Sequence, residues 1–425
     1  MPQMRIPFGT VAITDESKRL INDCLENGRI SSGRLVARFE ERFAELIGAG
    51  EAVAVGSGTD ADALSLAVLH DLGASSGDEV IVPALTFVAT ANAVLQAGFK
   101  PIFVDVHPET FNIDPARIEN AVTDRTRAIL PVHLMGKPAD MTAINTIARR
   151  NNLLVIEDAA EAHGARYKNK NIGCWGDMAA YSLYVAHIIT TGEGGIVVTD
   201  NAEYASILRS LRSHGRACKC KKCISNTTSG YCAKRFADAE LGDIRFRFER
   251  IGFSSKMNEL EAAIGLGALT LYDEILTKRR ENLYQLIKGF QNFSDYFYTF
   301  SESDAEKIGP HAFPFVLREN TPFTRFELMH FLEQNGVDAR TLFASIPTQC
   351  GGYKHFGYHQ GDFPVAEMLG RQGVHIGVHQ DIGRSDIKWF LELTEMFLNR
   401  FNGSKNWLLQ RPGNMVNNKP TVAIF

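Results

Sequence analysis

Leu153-Leu154-Val155-Ile156-Glu157-Asp158 is a short apolar run that ends in two adjacent carboxylates. Four consecutive apolar residues between polar flanks read as a fully buried strand. Working outward from it, Ala52–Val55, Glu79–Val82, Ile102–Val106, Ala128–Val132, Ala179–Leu183 and Ile196–Thr199 give the same reading. Amphipathic segments such as Asp60–Leu72, Thr90–Ala97 and Asp140–Arg150 lie between several of these runs and read as helices. Buried strands alternating with helices predict an α/β layer on a mostly parallel, seven-stranded sheet. Ligands of such sheets collect beyond the carboxyl ends of the strands, and the chemically interesting residues of this chain fall there.

The chain has 425 residues, 45% of them hydrophobic and 22% charged, with a formal net charge of −4. That is the composition of a globular protein with a sizeable core, and the charge gives no reason to expect nucleic-acid binding. The N-terminus lacks the apolar stretch of a signal peptide, and no run approaches membrane-spanning length, so a cytoplasmic location without membrane attachment is expected. Seven cysteines in that compartment are thiols or metal ligands rather than disulfides. Residues 1–260 are expected to form a large domain that carries the ligand site and a Cys-rich loop at 215–236. A bridging helix beginning in Glu259–Leu271 leads into a small α+β C-terminal domain over residues 261–403, which ends in a helix at Asp386–Phe401, and residues 404–425 form a tail.

Four segments at the strand ends are suited to one ligand. Gly56-Ser57-Gly58-Thr59-Asp60-Ala61 joins a strand to a helix. Its small residues, Gly58 and Thr59 among them, let the backbone approach an anion, and the helix N-terminus offers unpaired N–H donors and a favourable dipole. An ordinary strand-to-helix turn has the same composition. Asp158 can pair with a protonated ring nitrogen, or cap a helix. Ser182 offers a hydroxyl for phosphate, and five residues on His187 offers an imidazole able to move protons near neutral pH, although a lone histidine is also a common structural residue. Phe87 can stack on a flat ring or belong to the core.

Taken together with their order, these segments resemble the sugar aminotransferase (DegT/StrS) family of fold type I pyridoxal-phosphate enzymes. The resemblance covers Pro7 to about Phe401. It is carried by Ser31-Ser32-Gly33-Arg34-Leu35-Val36-Ala37-Arg38-Phe39-Glu40, Gly58-Thr59, Pro131-Val132-His133-Leu134-Met135-Gly136, Glu157-Asp158-Ala159-Ala160, Gly192-Glu193-Gly194-Gly195 and Met257-Asn258-Glu259-Leu260. It implies a homodimer with active sites at the interface, and a cofactor held by Gly58, Thr59, Phe87, Asp158 and Ser182. It also implies that the Ser254–Lys256 segment, with Ser255 and Lys256, reaches the neighbouring subunit's cofactor phosphate. Glu161 stands where the family's Glu-Asp-x-x-Gln pattern has the glutamine that meets the cofactor's phenolic oxygen.

The family's Schiff-base lysine is replaced by His187. Imidazole forms no stable Schiff base, so the substitution keeps a base and discards the covalent tether. Ala186-His187-Ile188-Ile189-Thr190-Thr191-Gly192-Glu193-Gly194-Gly195 is similar to the Ala-His-His-Ile-Thr-x-Gly-Glu-Gly-Gly pattern of the 3-dehydratases of nucleotide-linked 4-keto-6-deoxyhexoses. Arg340-Thr341-Leu342-Phe343-Ala344 followed by Gln349 is similar to their Arg-Leu-Leu-Phe-Ala-Gly-Asn segment. Ile188 replaces the pattern's second histidine, and Ser345-Ile346 its Gly-Asn. This implies C3 dehydration of a nucleotide sugar with pyridoxamine 5'-phosphate (or pyridoxal 5'-phosphate) as cofactor and His187 as base.

Cys218, Cys220, Cys223 and Cys232 crowd fifteen residues, a spacing able to hold an iron–sulfur cluster or a structural zinc. The flanking residues resemble the cluster loop of the CDP-4-keto-6-deoxyglucose 3-dehydrases, whose remaining cysteine is Ala160 here; Cys223 is then the substitute ligand. Lys219, Lys221, Lys222, Lys234 and Arg235 in the same loop can steer an acidic ferredoxin, flavodoxin or flavin reductase, or simply be solvated. Two other readings stand beside this one. One is a cluster-free dehydratase of the GDP-4-keto-6-deoxymannose type, regenerated by glutamate. The other is a non-catalytic or regulatory relative.

Overall fold

The computed structural model describes residues 4–218, 220–227, 230–237, 242–343 and 346–401. Seven strands form the central sheet: β1 (Glu51–Val55), β2 (Glu79–Pro83), β3 (Lys100–Val104), β4 (Thr126–Ile129), β5 (Leu154–Asp158), β6 (Met178–Ser182) and β7 (Gly195–Thr199). Their order is β1-β7-β6-β5-β4-β2-β3. All pairings are parallel except those of β7, which runs against both β1 and β6. The fold is α/β, as the alternating runs predict.

Alternate residues of each strand enter different cores, as the pleat requires. Val53, Val55, Val80, Val82, Ile156, Ala180 and Val197 face one apolar cluster. Ala52, Ala54, Ile81, Val155, Ala179, Tyr181 and Ile196 face the other. The helix Gly58–Asp71 is buried along its whole middle, residues 61–69, so it carries almost no polar face. A second sheet, β8 (Phe297–Tyr298), β9 (Ala312–Leu317), β10 (Ala339–Thr341) and β11 (Gly373–Gly377), is antiparallel in the order β8-β9-β11-β10. It follows the helices Glu259–Leu269 and Tyr272–Phe290 and packs with the helix Arg384–Asn399. Among the described residues no helix is long and apolar enough to cross a membrane. The tail expected at 404–425 lies outside the described residues.

Strand limits differ from the sequence expectation where side chains divert the backbone. The third strand, expected over 102–106, ends at Val104 because Asp105 turns away to accept hydrogen bonds from Val365 N (3.0 Å) and Ala366 N (2.8 Å) at the start of another helix. It begins earlier, at Lys100, and tolerates Pro101 because β3 is an edge strand. The fifth strand continues past Ile156 through both carboxylates, Glu157 being held there by its donors and Asp158 by parallel pairing with the next strand.

Two buried carboxylates tie distant segments together. Glu259 accepts from Gly33 N, Leu35 N and Val36 N, each at 2.9 Å, and so caps the helix Arg34–Ile47, whose N-cap glycine has no side chain to do it. Glu157 accepts from His133 Nε2 (3.1 Å), Gly173 N (3.0 Å), Trp175 N (2.8 Å) and Gly176 N (2.7 Å). Burial pushes the Glu157 carboxyl up, but the His133 ring and these backbone donors outweigh it and hold the group below the usual carboxylate range.

Glu157→Ala is expected to destabilise the fold by about 3–5 kcal/mol, the cost of leaving the partners of a buried charge unpaired, read from the urea midpoint. The Glu157 contribution is complete above the ordinary carboxylate pKa of about 4.3 and is lost as pH falls through the lowered folded value. The gap between wild type and variant therefore narrows on acidification.

Candidate active site

The parallel strands deliver their carboxyl ends to one edge of the sheet, and β7 begins there. β1 ends at the turn Gly56-Ser57-Gly58. Ser57 caps the helix Gly58–Asp71, its Oγ accepting from Asp60 N at 3.0 Å. Among the described residues nothing accepts from the N–H groups of Gly58 and Thr59, so they remain available to an anion. A Cβ on Gly58 would lie 2.7 Å from Ser182 Cβ, which shows how closely the helix N-terminus abuts the end of β6. Across the same junction a Cβ on Gly195 would lie 2.1 Å from Ser57 O. Ser182 thus sets its hydroxyl beside two free backbone donors.

Asp158, on the other side of Ser182's strand, is buried. Its Oδ2 accepts from Thr90 Oγ1 at 2.7 Å, and Thr90 is hydrogen-bonded in turn to Thr86 at 2.7 Å. Its Oδ1 accepts from Ala160 N at 3.2 Å; no helix follows, so Asp158 is not a helix cap. Burial raises its pKa, against the hydrogen bonds of Thr90 and Ala160 N. Among the described residues no Lys or Arg pairs with it. A buried carboxylate without a cation calls for one. Phe87, 60% exposed, begins the helix Val88–Gln96 and tilts toward Phe343 with ring centroids 6.1 Å apart. It is surface-facing rather than core.

His187 lies in the loop between β6 and β7. That loop is folded back on Leu183: Thr190 Oγ1 donates to Leu183 O (2.9 Å), Leu183 N to Gly194 O (2.9 Å) and His187 N to Tyr184 O (2.9 Å). Ile188 points inward at 5% exposure, while the His187 residue keeps partial exposure with Nδ1 closed to solvent and unpartnered among the described residues. Burial, with the positive fields of His163 and Arg279, pushes the imidazole down to about 3. It is an uncharged base at neutral pH.

Sequence reasoning missed the groups behind His187. His311 packs on it with ring centroids 5.0 Å apart, and His163 Nε2 meets Ser182 O at 3.1 Å. Arg279, 1% exposed, donates to Pro310 O and His311 O, both at 3.1 Å. These residues come from separate elements with no shared spacing, so no local pattern announces them. Glu161 accepts from Met135 N at 2.5 Å, and its Oε1 lies 3.5 Å from His311 Nε2. Burial, with Asp158 adding, raises it to about 8. Ser255 is buried within its own chain and accepts from Gly56 N at 3.1 Å, whereas Lys256 is exposed.

The Cys-rich loop is described in pieces. Cys218 hydrogen-bonds Cys220, and burial with this contact raises the Cys220 thiol; the field of Cys232 also reaches it. Among the described residues no group of three or more Cys, His, Asp or Glu is arranged to hold a metal ion, so the thiols as placed do not make a cluster site. The basic residues expected to steer a redox partner are largely occupied: Lys221 pairs with Glu51 (2.7 Å), Lys222 with Glu41 and Arg235 with Asp243 (2.9 Å). The free docking charge is smaller than the sequence suggests. Lys219, Ala344 and Ser345 lie outside the described residues.

Residues 11–392 match the DegT/DnrJ/EryC1/StrS aminotransferase family. The chain belongs to that family. GDP-perosamine synthase of Caulobacter vibrioides is 34% identical over 387 residues, 90% of this chain and 95% of that one. The dTDP-4-dehydro-2,6-dideoxy-D-glucose 3-dehydratase of Saccharopolyspora spinosa is 34% identical over 406 residues, 92% of this chain and 86% of that one. The structure of E. coli GDP-4-keto-6-deoxy-D-mannose-3-dehydratase with bound hydrated PLP matches with a TM-score of 0.81 at 28% identity, covering 92% of this chain and 100% of that one. This DegT/StrS chain is a pyridoxal-phosphate-dependent, sugar-modifying enzyme of fold type I. Its residues fit that cofactor: an uncompensated buried carboxylate for the ring nitrogen, and free N–H groups beside a hydroxyl for the phosphate.

Gly58→Ala is expected to force Ser182 aside, lowering stability by about 1–3 kcal/mol and weakening pyridoxal-phosphate binding. A thermal melt and equilibrium dialysis check the two effects separately; unchanged affinity would remove the Gly58–Ser182 junction from the site.

Proposed function

We propose that the protein dehydrates a nucleotide-linked 4-keto-6-deoxyhexose at C3, with pyridoxamine phosphate held noncovalently. The observation that carries this reading is the imidazole of His187 at the place of the family's lysine. Bound pyridoxamine phosphate would supply the amine that condenses with the C4 ketone and a ring able to hold the electron pair left when the C4′ proton is removed and to release it as the C3 hydroxyl departs. Gly58 N, Thr59 N and the Ser182 hydroxyl hold the phosphate. Asp158 keeps the ring nitrogen protonated, and Thr90 fixes the carboxylate that does so. Phe87 covers the outer face of the ring. His187 removes the proton from the cofactor's C4′ carbon, a task for which a group uncharged at neutral pH is ready without prior deprotonation. Proteins named as 3-dehydratases and as aminotransferases both match the chain, so the residue at position 187, rather than the similarity, supports dehydration.

His187→Asn is expected to lower turnover by about 10²–10⁴-fold, the ordinary contribution of a positioned base, with cofactor affinity kept. Near-normal turnover would require another base. His187→Lys restores a group able to bind the cofactor covalently, and the cofactor's absorption should shift accordingly.

The source of reducing equivalents divides the reading. A cluster carried by Cys218, Cys220, Cys223 and Cys232 would make turnover depend on a reductase. A cluster-free enzyme would instead regenerate its aminated cofactor from glutamate, a reading supported by thiols that, among the described residues, form no metal group as placed. Anaerobic purification with iron, sulfide and zinc quantified on one sample separates them. Matched iron and sulfide that vanish in Cys218→Ser establish the cluster. Iron-free protein with glutamate-driven turnover excludes it.

A further inference from the structure

The loop that carries His187 contains no helix or strand, so the aim of the imidazole depends on what packs against it. Part of that packing comes from the start of the chain. Arg5 Nε meets Asp386 at 2.8 Å, and the Arg5 guanidinium lies 4.4 Å from the centre of the Trp389 ring. Arg5 N and Ile6 N both donate to Gly336 O, at 2.8 and 3.0 Å, and Asp338 N donates to Ile6 O at 2.9 Å. Residues 5 and 6 are thus clipped to the small domain just before β10. β11 closes on the chain beyond them, since a Cβ on Gly377 would lie 2.2 Å from Phe8 O. Gly9 then reaches the His187 loop: a Cβ on it would lie 3.3 Å from Ala186 Cα and 3.4 Å from Val185 O. Residues 5–9 form a strap from the small domain to the neighbour of His187.

Phe8, 4% exposed, occupies the middle of an aromatic arc. On one side it meets His311 edge-on with ring centroids 5.8 Å apart, and His311 packs on His187 at 5.0 Å. On the other side it meets His375 of β11 at 5.3 Å. His375 meets Phe343 at 6.3 Å, and Phe343 meets Phe87 at 6.1 Å. The Arg340 guanidinium covers a face of the Phe8 ring at 3.8 Å and is itself held by Asp338 at 3.2 Å. Phe343 keeps its place in the arc with φ of 48°, a left-handed conformation costly for a non-glycine residue. The arc therefore joins the base to the residue assigned to the cofactor's outer face, and Phe8 is its central member.

We propose that Phe8 and Gly9 are positioning residues for His187. The Phe8 ring backs His311, and Gly9 lets the strap press on Ala186, so the small domain aims the imidazole through the strap. Close packing leaves a buried ring few places to move, so each ring of the arc fixes the next. Without the Phe8 ring a void opens behind His311, into which His311 and then His187 can relax. Gly9 has no positive φ, so a side chain added there presses on Ala186 without straining the backbone.

This inference rests on the role proposed for His187, but its first test needs neither cofactor nor substrate. His187 N donates to Tyr184 O and Thr191 N to Leu183 O, both at 2.9 Å, and hydrogen exchange reads how firmly these amides are held. Phe8→Ala and Gly9→Val should each speed exchange across residues 183–194 about tenfold, as an easier local opening does, with β1 and β5 unchanged. Phe8→Leu refills the void with apolar volume and should restore much of the protection. Unchanged exchange in the loop would overturn the proposal. Acceleration spread equally over the sheet would also overturn it, because the variants would then act through overall stability alone. In turnover, Phe8→Ala should lower kcat by about 10²-fold, the cost of a base misplaced by about 1 Å, with KM and cofactor affinity kept and part of the rate recovered in Phe8→Leu. A raised KM with unchanged kcat would place Phe8 in substrate binding and overturn the positioning role. Wild-type enzyme that dehydrates no keto-deoxysugar nucleotide overturns the functional reading and the base that the strap would aim, whereas the exchange data still decide whether the strap holds the loop.

Discussion

The end of β5 sets the constraint on which the site depends. Glu157 and Asp158 are neighbours on one strand, so the pleat sends their side chains to opposite faces of the sheet. Glu157 lies on the face of Val155 and is consumed by structure, since four donors converge on it and none is left for a ligand. Asp158 lies on the face of Ile156, where its one side-chain donor among the described residues is Thr90. Two carboxylates that are chemically alike thus acquire opposite tasks. The donors hold the first below the usual carboxylate range, while burial without a cation raises the second. A register slip of one residue would exchange them and leave the ligand face with no carboxylate held ready.

Close backbone contact does the rest of the positioning. Gly58 and Gly195 lie where any side chain would collide with Ser182 or Ser57, so β1, β6 and β7 can converge on one point. The convergence puts a helix N-terminus, a strand-end hydroxyl and the foot of the His187 loop within one corner of the sheet. The loop is in turn closed on Leu183 by Thr190, Thr191 and Gly194. The Thr-Thr-Gly-Glu-Gly-Gly run is therefore a backbone device for aiming position 187, and its own side chains need not touch the ligand.

Much of this was legible in the sequence because it is local. Every strand of the large sheet is a short apolar run, and each run survives in the structure within a few residues; the one before Asp105 is cut short where that residue meets a distant partner. Gly58, Asp158, Ser182 and His187 could be found because they sit at strand ends in a readable order. Glu161, by contrast, was legible as a departure from a pattern but not as a neighbour of His311, which stands 150 positions away in the sequence, just before β9. The buried Arg279 was invisible for the same reason: arginine in the helix Tyr272–Phe290 looks like a solvated face until the fold closes over it. The basic cysteine loop erred the other way. Its lysines look free in sequence, yet Glu51 and Glu41 of the large domain neutralise two of them.

The same surroundings explain why histidine can replace lysine at position 187 without rebuilding the site. Any basic group there is partly desolvated and feels Arg279 and His163, and both effects favour its neutral form. A lysine in that place would be driven toward a free amine, the state in which it can attack a carbonyl. A histidine is driven toward a free imidazole, the state in which it can accept a proton. Position 187 thus presents an unprotonated base whichever residue it holds, and the electrostatics of Asp158, Ser182 and the helix N-terminus need no compensating change. What the exchange alters is reach and bonding: the imidazole is shorter, and it cannot remain attached to the cofactor through the cycle. The chemistry therefore changes through one side chain because the pocket fixes the protonation state and leaves the covalent tether to the residue.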